Sequence, residues 1–299
     1  MFNAAAPVGL STAHAPWLLA LLGFAAMYVP SYWAAAQGLW QSDEFGHAPI
    51  ILAIALWLFW QVREKLYLAP DRPLPLLGWP LLALGLLLYV FGRTFTVNSF
   101  EFLSQPVVVL AVLLLLKGPG GLRAAWFAVF YLVFMVPLPG IVVDALTGPL
   151  KQWISLIVVE VLRAVGYPIA RAGVTITIGQ YQLLVADACS GLNSMFSLSA
   201  LGTLFMYLMA RPGLVHNAIM LAAIVPIAFF ANIVRVMALV LVTYHLGDEA
   251  GQGFLHGAAG MVLMLVALVV FFATDALLQV IGRHWRQSRP PVAAHTSEA

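Results

Sequence analysis

A long apolar run, 214-LVHNAIMLAAIVPIAFFANIVRVMALVLVTYHL-246, decides the class of fold. A helix that crosses a membrane needs about 20 mostly apolar residues, and this run is longer while holding a single charged residue, Arg235. Splitting the run into two crossings would move the arginines of the C-terminal tail to the outer side, against the positive-inside rule. The run therefore predicts one long helix, tilted or kinked at Pro226, whose end rises above the bilayer.

The composition of the whole chain agrees with a membrane protein. Of its 299 residues, 63% are hydrophobic and 9% are charged, whereas a soluble domain averages about 25% charged residues. The 14 Lys and Arg residues exceed the 12 Asp and Glu residues by only two, which argues against a disordered or nucleic-acid-binding chain. We therefore predict an all-α integral membrane protein and exclude a water-soluble fold.

The apolar runs predict eight transmembrane helices and a single polytopic membrane domain over residues 1–289. The spans are placed at 16–36, 48–62, 74–92, 99–116, 124–143, 189–210, 214–240 and 256–281. Residues 1–15 contain no Lys or Arg, so no cleavable signal is predicted. Residues 290–299 are predicted to form a flexible cytoplasmic tail.

The distribution of cations predicts the orientation. With both termini in the cytoplasm, the inner side carries Arg63, Lys65, Arg72, Lys117, Arg123, Arg211, Arg283, Arg286 and Arg289. The outer side carries fewer cations, namely Arg93, Lys151, Arg163 and Arg171. The expected localisation is therefore a plasma membrane, crossed several times.

One sizeable insertion, residues 144–187, is predicted to lie on the extracytoplasmic side, before the sixth helix. Its first part, Leu150–Val165, places polar and apolar residues on separate stripes and predicts an amphipathic helix lying on the membrane surface. Its second part alternates between apolar and polar residues on both sides of Gly179-Gln180. That pattern predicts a β-hairpin with a two-residue turn.

The single cysteine, Cys189, stands in Asp187-Ala-Cys-Ser-Gly-Leu-Asn193, between the hairpin and the sixth span. One cysteine excludes an intramolecular disulfide, a two-thiol redox pair and a multi-cysteine metal site. At a helix start the macrodipole favours the thiolate, with Asp187 or Ser190 as the candidate N-cap. The alternative is a small packing residue at the start of a helix.

Two further side chains are predicted at the same outer edge of the membrane. Arg235 lies inside an apolar helix, where a charge faces a cavity, a partner or the interface; Asn232 lies one turn earlier on the same face. His256 opens the last span, and His245 is a competitor near the same boundary. Together a thiolate, an imidazole and a guanidinium form a set for acyl transfer: nucleophile, proton carrier and oxyanion donor.

The order of these motifs resembles the exosortase/archaeosortase family, with some likeness to the exosortase B branch. The likeness covers about residues 40–270 and departs from the family at Phe45-Gly46-His47, where Tyr-Ser-His is expected. The motifs that carry it are Ala188-Cys-Ser-Gly-Leu192, Asn232-Ile-Val-Arg235, His256-Gly-Ala-Ala-Gly260, Phe134-Met-Val-Pro-Leu-Pro-Gly140 and the Gly173–Val185 hairpin.

The resemblance implies a cysteine protease or transpeptidase of the bacterial inner membrane, with its active site at the periplasmic face. By the resemblance, Cys189 is the nucleophile and Arg235 and His256 complete the triad; Asn232, Asp187 and Ser190 are secondary candidates. The implied partners are exported proteins that carry a Pro-Glu-Pro motif, a hydrophobic helix and a basic tail at their C-terminus. Membrane lipid and polysaccharide-export machinery are further expected partners, and no cofactor, metal or nucleic acid is expected.

Rival functions remain open at this point. A transporter or an assembly subunit for exported polysaccharide would use Arg235 as a substrate contact and would tolerate loss of Cys189. A membrane acyl or glycosyl transferase would use a histidine paired with a carboxylate, for which Glu44 and His47 are the compact candidate. The same two residues make a poor metal site, because a metal needs more ligands than two.

Overall fold

The computed structural model describes residues 15–42, 45–184, 191–210 and 213–287. The predicted tail at 290–299 lies outside the described residues. Contacts divide the chain into two compact units, Met1–Val142 and Val143–Ala299, called here the N-terminal unit and the C-terminal unit.

The N-terminal unit is helical throughout its regular structure. Its helices are α1 (Ala15–Gln37), α2 (Ala48–Leu68), α3 (Pro75–Thr94), α4 (Asn98–Leu116) and α5 (Gly118–Tyr131), with short 3-10 turns at Leu39–Gln41 and Leu132–Met135.

Helices α3 and α4 form a tightly packed antiparallel pair. Three glycines of α3, spaced seven residues apart, are buried against α4: Gly78, Gly85 and Gly92. A side chain at Gly92 would meet the backbone of Glu101, at 2.8 Å from its Cα. The glycines therefore set the closeness of the two helices, as small residues do in membrane helix pairs.

The C-terminal unit combines helices with a small sheet. It holds most of α6 (Gly140–Ala164), followed by β1 (Ile169–Ala172), β2 (Thr175–Ile178) and β3 (Tyr181–Leu184). After the sheet come α7 (Gly191–Met209), α8 (Leu214–Leu246), α9 (Asp248–Gly257) and α10 (Ala259–Gln287). The strands pair antiparallel in the order β1-β2-β3.

The predicted class of fold, an all-α integral membrane protein, is confirmed. Among the described residues, seven helical segments are long and apolar enough to cross a membrane: Ala15–Gln37, Pro75–Thr94, Asn98–Leu116, Gly118–Met135, Gly140–Ala164, Leu214–Leu246 and Gly260–Ile281. The predicted long run is one continuous helix, α8, through Pro226. The predicted hairpin is present, with Gly179 at φ +57° in its two-residue turn.

Besides the start of the last span, three features differ from the sequence prediction. The fifth predicted span stops at Met135 instead of residue 143, because Pro137 and Pro139 cannot continue a helix. The next helix begins at Gly140 and runs through Pro149, where the sequence predicted a shorter amphipathic helix from Leu150. The hairpin gains a third strand, β1, which the sequence analysis missed.

The sheet packs between the end of α6 and the end of α8. One apolar cluster joins the three elements, with Val158 of α6, Ile176 and Ile178 of β2 and Val236 and Val240 of α8 all buried. A sheet with open edges does not occur in lipid-exposed hydrocarbon. This cluster therefore marks the part of α8 that extends beyond the bilayer core.

Packing on the sheet also limits how much of α6 can lie in the bilayer. Residues from Ile154 onward pack on the sheet, which leaves Gly140–Trp153 for the membrane, a length of about 21 Å at 1.5 Å per residue. The hydrocarbon core is about 30 Å thick. Although α6 has the length and composition of a span, its packing on the sheet favours a C-terminal half that lies outside the hydrocarbon core.

Candidate active site

Arg235 is buried in the middle of the C-terminal unit. Its side chain is on α8, and the residue is only 6% exposed. Asn232, three residues earlier and so on the same face of the helix, is 4% exposed. The sequence left a cavity, a partner and the interface open for Arg235, and this burial favours the protein interior over the interface, since a charge is expensive wherever a helix meets lipid.

Two apolar clusters meet at Arg235. Before it along α8, Ile224 to Ala231 pack against α7 and α10, in a cluster that includes Leu198 and Phe271. After it, Val236 to Val240 pack against the sheet and α6. Arg235 lies about 31 Å along the helix from Leu214, which is one hydrocarbon thickness. Its guanidinium therefore belongs to the level at which α8 leaves the bilayer.

The segment that carries the candidate nucleophile joins the sheet to α7. Strand β3 ends at Leu184 and α7 begins at Gly191. Cys189, Asp187 and Ser190 lie between them, outside the described residues, as does the Asp43-Glu44 pair of the N-terminal unit. The predicted order of elements, hairpin then cysteine segment then helix, is the order found.

His256 is not at the start of the last long helix, as the sequence predicted. Its backbone lies in the last turn of the separate short helix α9, and its side chain lies outside the described part of the chain. Gly247, at φ +93°, ends α8 and lets the chain turn. Gly251 then lies so close to Thr243 that there is no room for a Cβ, which shows that α9 leaves the axis of α8 and packs against its last turns.

His245, the competing histidine, is in the last turn of α8. Its Nε2 is 3.1 Å from the hydroxyl of Tyr167, and its ring meets those of Tyr167 and Tyr244 edge to face. Gly179 packs against the ring of Tyr244, and the hydroxyl of Tyr181 lies near Gly247. Tyr167, Tyr181 and Tyr244 thus lie together at this end of the unit. His245 thus has a structural role in holding the connection between α6 and the sheet to α8.

A buried polar group that the sequence analysis missed lies near the opposite end of α8. His216 Nε2 is 2.9 Å from Asp275 Oδ1, and Gln279 donates to Asp275 Oδ2 at 2.7 Å. Asp275 is 4% exposed and does not reach out to solvent as an aspartate near a helix end often does. Only the pairing of α8 with α10 reveals this group, because its members are far apart in sequence.

A second missed group lies in the N-terminal unit. Arg93 donates to the buried Glu101 at 3.1 Å, and the hydroxyls of Tyr28 and Ser104 are 2.7 Å apart. Gln105 donates to the hydroxyl of Tyr32. These bonds pair polar side chains between α1, α3 and α4, although the buried Oε1 of Gln105 accepts no hydrogen bond from the described residues.

Among the described residues no group of three or more His, Cys, Asp or Glu side chains is placed to hold a metal ion. His47 lies just before α2, at its N-cap position. The carboxylate proposed to pair with it, Glu44, lies outside the described residues.

The comparison with protein families assigns most of the chain. Residues 39–273 match the family model described as transmembrane exosortase (Exosortase_EpsH). The match covers Cys189, Arg235 and His256. No curated protein and no solved structure matches the chain. Because the match spans well over half of the sequence, the chain belongs to the transmembrane exosortase family.

Proposed function

We propose that this exosortase is a membrane cysteine protease or transpeptidase that cleaves C-terminal sorting signals of exported proteins. The observation that carries the proposal is the burial of Arg235, about one hydrocarbon thickness along α8 from Leu214, within a family match that also covers Cys189 and His256. The proposed substrate signal has a Pro-Glu-Pro motif, a hydrophobic helix and a basic tail. The proposed site is the periplasmic face of a bacterial inner membrane.

In the proposed reaction, the thiolate of Cys189 attacks the carbonyl carbon of the scissile peptide bond. A tetrahedral intermediate forms, and its oxyanion is stabilised by the guanidinium of Arg235. The C–N bond then breaks, leaving a thioester on Cys189, and His256 gives a proton to the departing amine. Water or an acceptor amine resolves the thioester and restores the thiol.

The burial of Arg235 suits the oxyanion role. A charge–dipole or charge–charge interaction is stronger where water is excluded, and Arg235 is 6% exposed. Asn232 is buried on the same face, and its proposed role is to orient the guanidinium. Arg163 offers a contrast, because its guanidinium is exposed and paired with Glu160 on the surface of α6.

The experiment that tests the proposal is processing of a co-expressed protein with a Pro-Glu-Pro signal, compared between the wild type and Cys189→Ala at matched membrane levels. We expect only the wild type to shorten the substrate, and Cys189→Ser to be inactive as well. Shortening by both wild type and Cys189→Ala would refute the thiol mechanism. Shortening by neither would refute the proposed substrate and favour a non-enzymatic role in polysaccharide export.

His256 and His245 provide a matched pair for the proton carrier. We expect His256→Ala to lose processing, while His245→Ala removes the contacts with Tyr167 and Tyr244 and retains most of the processing. Equal losses in the two variants would contradict the assignment of His256.

A further inference from the structure

One edge of the small sheet is left open next to the segment that carries Cys189. In a hairpin with a two-residue turn, the residues that close the turn exchange both backbone hydrogen bonds, and every second pair does the same. Ile178 pairs with Tyr181 and Ile176 with Leu183, so those residues of β3 bond to β2. The N–H and C=O groups of Gln182 and Leu184 therefore point away from the sheet.

No described residue bonds to these outward groups. The backbone hydrogen bonds beyond the helices and the sheet ladders include none from Gln182 or Leu184 within the described part of the chain. Their side chains are exposed too. Water-facing edges are normally blunted with a charge or a proline, and β3, Tyr181-Gln-Leu-Leu184, has neither.

The other edge of the sheet is blunted by a charge. Strand β1 carries Arg171, whose guanidinium donates to the Ser155 hydroxyl at 3.3 Å and to the Gly173 carbonyl at 3.2 Å. It also lies two strands away from the chain that leads to Cys189. Cys189 follows Leu184 by five positions, a stretch that spans at most about 18 Å.

We propose that the outward edge of β3 binds the motif of the sorting signal as an added strand. This inference rests on the proposed function and names how the substrate is held. Backbone pairing with an open edge is an established way for a protein to bind an extended peptide. The sheet lies at a suitable depth for this motif, because it packs on the part of α8 just beyond the bilayer core. The residues that precede the hydrophobic helix of a sorting signal must lie at the same level.

The chemistry of a Pro-x-Pro motif fits an edge and no other position in a sheet. Alternate residues of a strand point their N–H groups to the same side, so residues two apart behave alike. Proline has no N–H and is accepted where that group would face away from the sheet. In Pro-Glu-Pro, both prolines then face away, and the glutamate turns its N–H and C=O toward Gln182 and Leu184.

The experiment uses the full-length wild-type protein in liposomes and synthetic peptides with the motif, an apolar helix and a basic tail. One peptide carries an N-methyl group on the glutamate nitrogen. The matched control carries it on the residue three positions earlier, whose N–H would face away in the proposed pairing. Cleavage is followed by mass spectrometry and expressed as kcat/KM.

We expect N-methylation at the glutamate to lower kcat/KM by at least about fivefold, the effect of one lost hydrogen bond, and the control methylation to have little effect. Equal effects of the two methyl groups would overturn the inference and leave the proposed function standing. If the wild type does not cleave the unmodified peptide, the proposed function fails and the inference fails with it.

A pair of variants of the enzyme, in place of modified peptides, tests the same edge. Gln182→Pro removes the outward N–H without breaking the β2–β3 ladder, whereas Gln182→Ala keeps it. We expect the proline variant to lose at least about fivefold in kcat/KM and the alanine variant to stay within twofold. Equal activity of the two variants, with the methylated peptides also indistinguishable, would exclude pairing at this edge.

Discussion

Replacing Gly251 by alanine should displace α9 and with it the backbone that carries His256. A Cβ at Gly251 would overlap the hydroxyl oxygen of Thr243 and lie 3.2 Å from its Cβ. Carbon atoms in contact are normally about 3.5–4.0 Å apart. Thr243 is fully buried, and a β-branched side chain has few rotamers available in a helix.

The size of the expected loss of activity follows from the distance by which α9 must move. To clear the hydroxyl, α9 has to move by about 1 Å, and a displacement of that size at a catalytic group costs about 100-fold in rate. The substitution should stabilise α9 as a helix, since replacing glycine by alanine inside a helix is favourable by about 1 kcal/mol. A loss of activity without a loss of folding is therefore the expected signature.

The assay is processing of a Pro-Glu-Pro substrate by Gly251→Ala, with Gly253→Ala as the control. Gly253 is in the same helix, and a Cβ there would have no atom within 4 Å. The control should keep wild-type activity. Adding Thr243→Ala to Gly251→Ala removes the overlapping oxygen and should restore activity, a positive coupling between the two sites.

Full activity of Gly251→Ala would refute the reasoning, because the close contact of α9 and α8 would then not position His256. Equal losses in Gly251→Ala and Gly253→Ala would also refute it, since only one of these glycines touches Thr243.

Three further predictions concern other buried contacts. Arg235→Lys should lose at least about tenfold in processing, because lysine keeps the charge and loses the planar fork, while Arg163→Lys should be unaffected; equal behaviour would contradict the oxyanion role. Gly92→Ala should lower the thermal midpoint in detergent by forcing α3 from α4, whereas Gly23→Ala, in open space, should not. Asp275→Asn keeps one acceptor oxygen where the carboxylate has two, one facing His216 and one facing Gln279, and should reduce the free energy of unfolding by about 1–3 kcal/mol, measured by denaturant titration; an unchanged value would contradict the buried pair.

The sequence predicted those features that depend on local pattern. The length and polarity of residues 214–246 predicted one long helix, while the burial of Arg235 is known only from the structure. The alternation around Gly179-Gln180 predicted the hairpin and its turn, because a two-residue turn led by glycine leaves few alternatives. The family resemblance, carried by three short motifs in order, is confirmed by the match over residues 39–273.

The sequence analysis missed the features that depend on tertiary contacts. Strand β1, Ile169-Ala-Arg-Ala172, has no run of β-branched residues and is a strand because it pairs with β2. The short helix α9 was read as part of the last span, since nothing in the apolar pattern shows that Gly251 packs on Thr243. The His216 and Asp275 pair was missed for the same reason, because it forms only once α8 and α10 are side by side.

The measurement that tests the central claim most directly is the mass of the intact enzyme during turnover of a sorting-signal peptide. Acid quenching within a turnover should trap a thioester, so that a fraction of the protein gains the mass of the peptide's N-terminal fragment. Fragmentation should place that mass on Cys189, and hydroxylamine should release it. Cleavage of the peptide with no covalent intermediate on Cys189 under any quench, and the same cleavage by Cys189→Ala, would contradict the account.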